Sequence, residues 1–171
     1  MILKGIKLAL AKNKIGKHST KDSPLKFMMP VSSIGIILDA ESIEFLPKFI
    51  DLKEKFLLKD SDFKIVLFKN KDENASDFDG LTFAEKDLNI IGNFRNPELI
   101  KFAANRMDLL ITFAEENNIP VNLLTHSCNA NLKVGRHLKN EHFLDLIIKS
   151  DDDAELFISE LLKCLKQFKA N

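Results

Sequence analysis

Tryptophan and tyrosine are both absent from this 171-residue chain, and its 14 aromatic residues are all phenylalanine. Phenylalanine fills a core but offers no polar handle. That counts against a sugar- or base-stacking site and against the Tyr and Trp anchors that dominate many interfaces. There are only two cysteines, Cys128 and Cys164, far apart in a chain long enough to fold without staples. Reduced thiols and a cytoplasmic setting are expected. Long apolar runs are missing as well. Lys4, Lys7 and Lys12 interrupt the N-terminus before it reaches signal-peptide length, and no stretch approaches the ~20 residues of a membrane span.

With only six glycines, the common phosphate-binding loops are missing. A dinucleotide fingerprint needs G-x-G-x-x-G after the first strand, and that strand ends Leu38-Asp39-Ala40-Glu41. A Walker loop needs a glycine five residues before Gly16-Lys17, where Ala11 stands. No cofactor is therefore expected.

Charge is plentiful but unevenly placed. Formal net charge is zero, yet residues 1–29 carry seven lysines against Asp22 alone, for +6, leaving −6 on the remainder. A domain built to bind nucleic acid is usually basic over its folded part. Attraction to an anionic membrane surface or RNA is thus confined to the leader, through Lys4, Lys7, Lys12, Lys14 and Lys17.

The pattern divides into residues 1–29, a basic helix and linker, and 30–171, a single α/β domain. In the helix, Ile2, Leu3, Ile6 and Leu10 cluster on one side, with Leu8 and Ile15 out of pattern. The segment HSTKDSPLKFMMP reads as the linker. Buried strands are expected at 31–39, 63–69 and 107–113, with shorter ones at 132–134 and 143–148. Residues 81–89 suit a short strand or a helical turn, and 70–80 a polar loop. Helices are expected at 41–58, with Pro47 early in it, at 97–105, from Ile119-Pro120 to about 127, and at 154–169. The last should turn Leu156, Leu161, Leu162 and Leu165 to the core. The implied fold is a Rossmann-like three-layer α/β/α sandwich with a mostly parallel sheet of four to five strands, preceded by the N-terminal helix.

Candidate chemistry follows from position. Ligands of open α/β sheets bind beyond the carboxyl ends of strands, where Asp39 lies, although a helix N-cap is the simpler role for it. Glu115 and Glu116 sit beyond another strand end and suit a pocket rim. Lys133, Gly135 and Arg136 place two cations around a glycine and suit an anionic ligand, or else a turn. Asp87 and Asn89 suit turns and caps, and Asp108 lies at the wrong strand end for a ligand. The spacing of His126, Cys128, His137 and His142 matches no common zinc pattern, and Cys128 reads as a small buried residue rather than a nucleophile. No catalytic or metal residue is assigned.

The elements PVSSIGIILD, KDLNIIG, MDLLITF, NANLKVG and HFLDLIIK come in an order similar to an uncharacterised family of small α/β proteins from Bacteroidetes. That resemblance spans nearly the whole chain and implies no activity. Ser32–Gly35 and Lys133–Gly135 also resemble, more distantly, the SSIG and Arg-Ile-Gly elements of one half of ADP-heptose-type glycosyltransferases. In those enzymes SSIG follows the first strand, whereas here it begins one. The aspartate expected after its glycine is Ile36, and there is no room for a second Rossmann domain. The expected role is a non-catalytic binding or adaptor protein with a protein partner. The alternative is a nucleotide- or nucleotide-sugar-like ligand site, or an unrecognised enzyme, at the carboxyl edge, lined by Asp39, Glu115, Lys133 and Arg136.

Overall fold

The structure, a computed structural model, describes residues 2–17, 29–69 and 78–169. The expected linker falls mostly, and the polar loop after the second strand largely, outside the described residues, as do the side chains of Ile2, Leu3 and Lys17. The elements run α1 (Ile2–Lys17), β1 (Ile34–Asp39), α2 (Leu46–Lys55), β2 (Phe63–Phe68), β3 (Leu81–Phe83), α3 (Pro97–Ala104), β4 (Met107–Phe113), α4 (Ile119–Ser127), β5 (Ala130–Gly135), β6 (Leu146–Ile147) and α5 (Ala154–Lys169).

The strands form one six-stranded parallel sheet in the order β3-β2-β1-β4-β5-β6. The expected sandwich is present, with six strands rather than four to five. The additional strand is β3, three residues within the stretch that suited either a short strand or a helical turn. Of the stretch expected as a strand at 143–148, only Leu146–Ile147 pairs, while Phe143 and Leu144 are buried ahead of it.

β1 and β4 are apolar on both faces because both faces are covered. Ile36 and Leu38 point into a core with α2 and α5. Ile37 points into the opposite core, with α3 and α4. The phenylalanines concentrate where a large ring without a polar group is wanted. Phe45, Phe49, Phe113 and Phe157 pack ring to ring in the α2/α5 layer, at centroid distances of 5.3–6.4 Å.

One expected helix and two expected faces are corrected. The helix after β1 divides into a 3-10 turn (Ala40–Phe45) and α2, with Pro47 in α2's first turn. On α2, Phe49 and Leu52 are buried and Ile50 is exposed. On α5 the core face is Ala154, Phe157, Ile158, Leu161 and Leu165, and Leu156 looks outward. Among the described side chains of α1, Ala11 and Ile15 are buried, packed with Leu88, Leu123, Phe143 and Leu144, while Ile6 and Leu10 are 46% and 36% exposed. α1 therefore lies against α4 and shares a core with the rest of the chain.

Candidate switch-point crevice

β1 and β4 are neighbours, but the connections leave them in opposite directions, β1 towards β2 and β4 towards β5. Their carboxyl ends therefore part and leave a crevice, the usual ligand position in such sheets. Asp39 ends β1. Its side chain is buried, with the residue 3% exposed. Oδ1 accepts hydrogen bonds from the Ser42 N–H (3.1 Å) and hydroxyl (2.6 Å), capping the 3-10 turn. Oδ2 accepts from the Glu115 N–H (2.6 Å), just beyond β4. One carboxylate thus ties together the two loops that diverge at the switch point. A cavity of about 330 Å³ opens beside it, lined by Asp39, Glu41, Glu85, Glu115, Asn117 and Asn118, with Leu8, Ala40, Phe68, Ile119 and Pro120 as its apolar wall. Asn118 accepts from the Val121 N–H and caps α4.

The four side chains weighed as one ligand site do not converge. Asp39 and Glu115 line the crevice. Arg136 lies behind it, 6% exposed and bonded inward. Its Nε donates to the Ala114 carbonyl (3.2 Å), its NH1 group donates to Asp152 (2.5 Å) and to the Asp151 carbonyl, and its guanidinium sits 4.3 Å over the Phe113 ring. It reaches the crevice only through Glu115, 3.6 Å away. The Lys133 ammonium donates to the His126 carbonyl (2.9 Å) on α4. Gly135 is a packing glycine at the end of β5. A Cβ there would meet Leu144 Cδ1 at 2.6 Å.

The remaining candidates are structural. Cys128 is buried at the end of α4, and burial, only partly offset by the Lys133 ammonium, pushes its thiol up to about 12. The His126 ring stacks on Phe143, and His137 Nε2 donates to the Ala114 carbonyl at 3.0 Å. Among the described residues no group of three His, Cys, Asp or Glu side chains is placed to hold a metal ion. Asp87 accepts from the Ala84 N–H, and Asn89 from the Ile91 and Asn93 N–H groups, the capping and turn roles expected of them. Asp108, at the amino end of β4, accepts from the Ser32 N–H (2.8 Å) and hydroxyl (2.6 Å). The Ser32–Gly35 element thus joins the amino ends of β1 and β4, at the other end of the sheet from the crevice.

Of the leader lysines, Lys4 pairs with Glu85 at 3.0 Å and Lys14 donates to Asn93, so both help hold α1 to the body. Lys12 is exposed, and Lys7 is half-buried in a second cleft. Sequence reasoning missed Leu8, Phe68 and Glu85 as crevice residues, because only tertiary packing brings them there. Ser42 was legible as the third residue of an Asp N-cap.

Fold and crevice together define a doubly wound parallel α/β protein with a ligand-sized cleft at its switch point. The chain belongs to a family of unknown function (DUF6913), which matches residues 7–168. No curated protein and no solved structure matches it. No helix among the described residues is long and apolar enough to cross a membrane.

Proposed function

We propose that the protein is a small-molecule-binding domain whose ligand occupies the switch-point crevice. The observation that carries this is Asp39, whose buried carboxylate bonds only to neutral donors. Among the described residues no cation pairs with it. A buried carboxylate is ordinarily paired with a cation, and it can accept about four hydrogen bonds. Asp39 uses three and borders a cavity. An N–H or O–H donor on a ligand supplies the fourth. Phosphate is disfavoured, because four carboxylates line the cleft and no glycine-rich turn approaches it. The role is binding without turnover, in the cytoplasm, where the free thiols of Cys128 and Cys164 would persist.

Native mass spectrometry of gently purified protein tests this. A retained mass on the order of a few hundred daltons, lost in Ala40→Phe, which fills the crevice, is expected. A bare chain in both proteins that also binds no small molecule on titration sinks the reading.

A second reading, an adaptor that docks a protein partner, is favoured by the outward face of α1. Ile6 and Leu10 are exposed there on a lysine-bearing helix, and the exposed Ile91 precedes Gly92, which lies against the Leu10–Ala11 backbone. Such a strip fits a partner with an apolar centre and an acidic rim. Co-purification of one protein that is lost in an Ile6→Ser/Leu10→Ser double variant supports it. Salt-sensitive binding to anionic vesicles or RNA in its place identifies a different occupant.

A further inference from the structure

A second cleft, of about 190 Å³, adjoins the switch-point crevice and shares Leu8 and Glu85 with it. Its other lining residues are Lys4, Lys7, Lys86 and Leu88. The two clefts have opposite electrical character. The crevice presents Asp39 and Glu115, with Glu115 partly offset by Arg136. The second cleft presents three lysines against Glu85 alone, and Glu85 is spent on Lys4. Among the described residues no carboxylate pairs with Lys7 or Lys86. The ridge between the clefts is therefore neutral, an apolar Leu8 beside a closed Lys4–Glu85 pair.

Resting on the crevice reading, we infer that the ligand is a zwitterion with a short apolar spacer. Its ammonium group lies beside Asp39, its spacer crosses Leu8, and its anionic group lies beside Lys7 and Lys86. Asp39 carries an uncompensated charge at one end, and Lys7 and Lys86 carry theirs at the other. A ligand of a single charge would meet its opposite at one end and leave the charge at the other end unmet. A zwitterion satisfies both, with each charge meeting its opposite across a partly shielded cleft. The apolar wall of Leu8, Phe68, Ile119 and Pro120 accounts for an alkyl spacer rather than a polar one.

Isothermal titration calorimetry on the full chain tests the inference with ε-aminocaproate and γ-aminobutyrate, against hexylamine, butylamine, caproate and butyrate as single-charge counterparts. At least one amino acid should bind roughly fivefold tighter than both of its counterparts, about the worth of one partly exposed ion pair. Lys7→Gln, at a half-buried helix position, should erase that advantage and bring the amino acid level with the amine. Amines binding as well as amino acids, with Lys7→Gln changing neither ratio, overturns the zwitterion and leaves the crevice reading standing. Carboxylates binding best, or no probe binding while the native protein retains a small molecule, also overturns it. A bare native chain that binds no probe overturns both.

Discussion

The Asp39 carboxylate accepts a hydrogen bond from the backbone N–H of Glu115 at 2.6 Å, across the gap between the carboxyl ends of β1 and β4. The two residues are distant in sequence and adjacent only because β1 and β4 pair in parallel register, Leu38 opposite Phe113. The same carboxylate caps the turn that follows β1. It is therefore at once a structural clasp and the charged wall of the crevice.

Asp39→Ala leaves the Ser42 N–H, the Ser42 hydroxyl and the Glu115 N–H without their acceptor. A loss of about 2–4 kcal/mol is expected in urea unfolding. Asp39→Asn retains one acceptor oxygen and should lose less than Asp39→Ala.

Arg136 is held by two backbone carbonyls, Asp152 and the face of Phe113. Arg136→Met removes one of the two donors to the Ala114 carbonyl, which keeps His137, and the donor to the Asp151 carbonyl, and should cost about 1–3 kcal/mol in the same measurement. Arg136→Lys keeps the charge but not the planar fork, and should recover only part of the loss.

Acid should destabilise the protein through Asp108 and Asp152. Burial pushes the Asp108 carboxyl up, but hydrogen bonds from Ser32, Asn131 and Ser33 outweigh it and hold it below its ordinary 3.8. Asp152 is lowered by the hydrogen bond and charge of Arg136. A carboxyl depressed in the folded state contributes stability above its unfolded pKa and loses it as pH falls through the folded one. Unfolding free energy should be flat from neutral pH down to about 5 and fall below about 4. Asp108→Asn should lower the neutral plateau by on the order of 1 kcal/mol and flatten the acid limb.

Thiol labelling should separate the two cysteines. Cys164, half-buried on α5, should take up iodoacetamide in the folded protein near pH 8, while Cys128 stays unmodified. Mass spectrometry should show one adduct on native protein and two after denaturation. Equal labelling of both in the native state would place Cys128 outside the core.

Gly92 holds α1 in place. Its φ is +73°, and a Cβ there would meet the Ala11 backbone nitrogen at 3.0 Å. Gly92→Ala adds left-handed strain and a clash against rigid backbone, for about 1–2 kcal/mol. Hydrogen exchange should quicken across α1 more than across β1 or β4.

β1, β4 and α5 were legible because each carries a long, regular apolar pattern. β3 stayed open between a strand and a turn, and β6 was expected as six residues where two pair, since two or three residues hold no measurable period. The buried face of α1 was misread for a different reason. Ile6 and Leu10 are the more hydrophobic choice, but Gly92, Leu88 and Leu123 offer a close-fitting seat to Ala11 and Ile15. A small residue at the point of contact lets two backbones approach, and hydrophobicity alone does not register that. Ile50 and Leu156 look outward likewise, because the faces carrying Phe49, Leu52 and Phe157 fill the space beneath the sheet.

Composition, strand periodicity and the missing glycine motifs by themselves determined a parallel α/β sandwich, a carboxylate rather than a phosphate loop at the end of β1, and a charge-divided chain. Only the tertiary structure decided that Arg136 is spent on the core while Asp39 faces a cavity, and that Leu8 and Glu85 join an acidic cleft to a basic one. The physical reason is that charge type is written locally. Whether a charge finds an internal partner depends on which strand ends and helix faces the fold brings within hydrogen-bond reach.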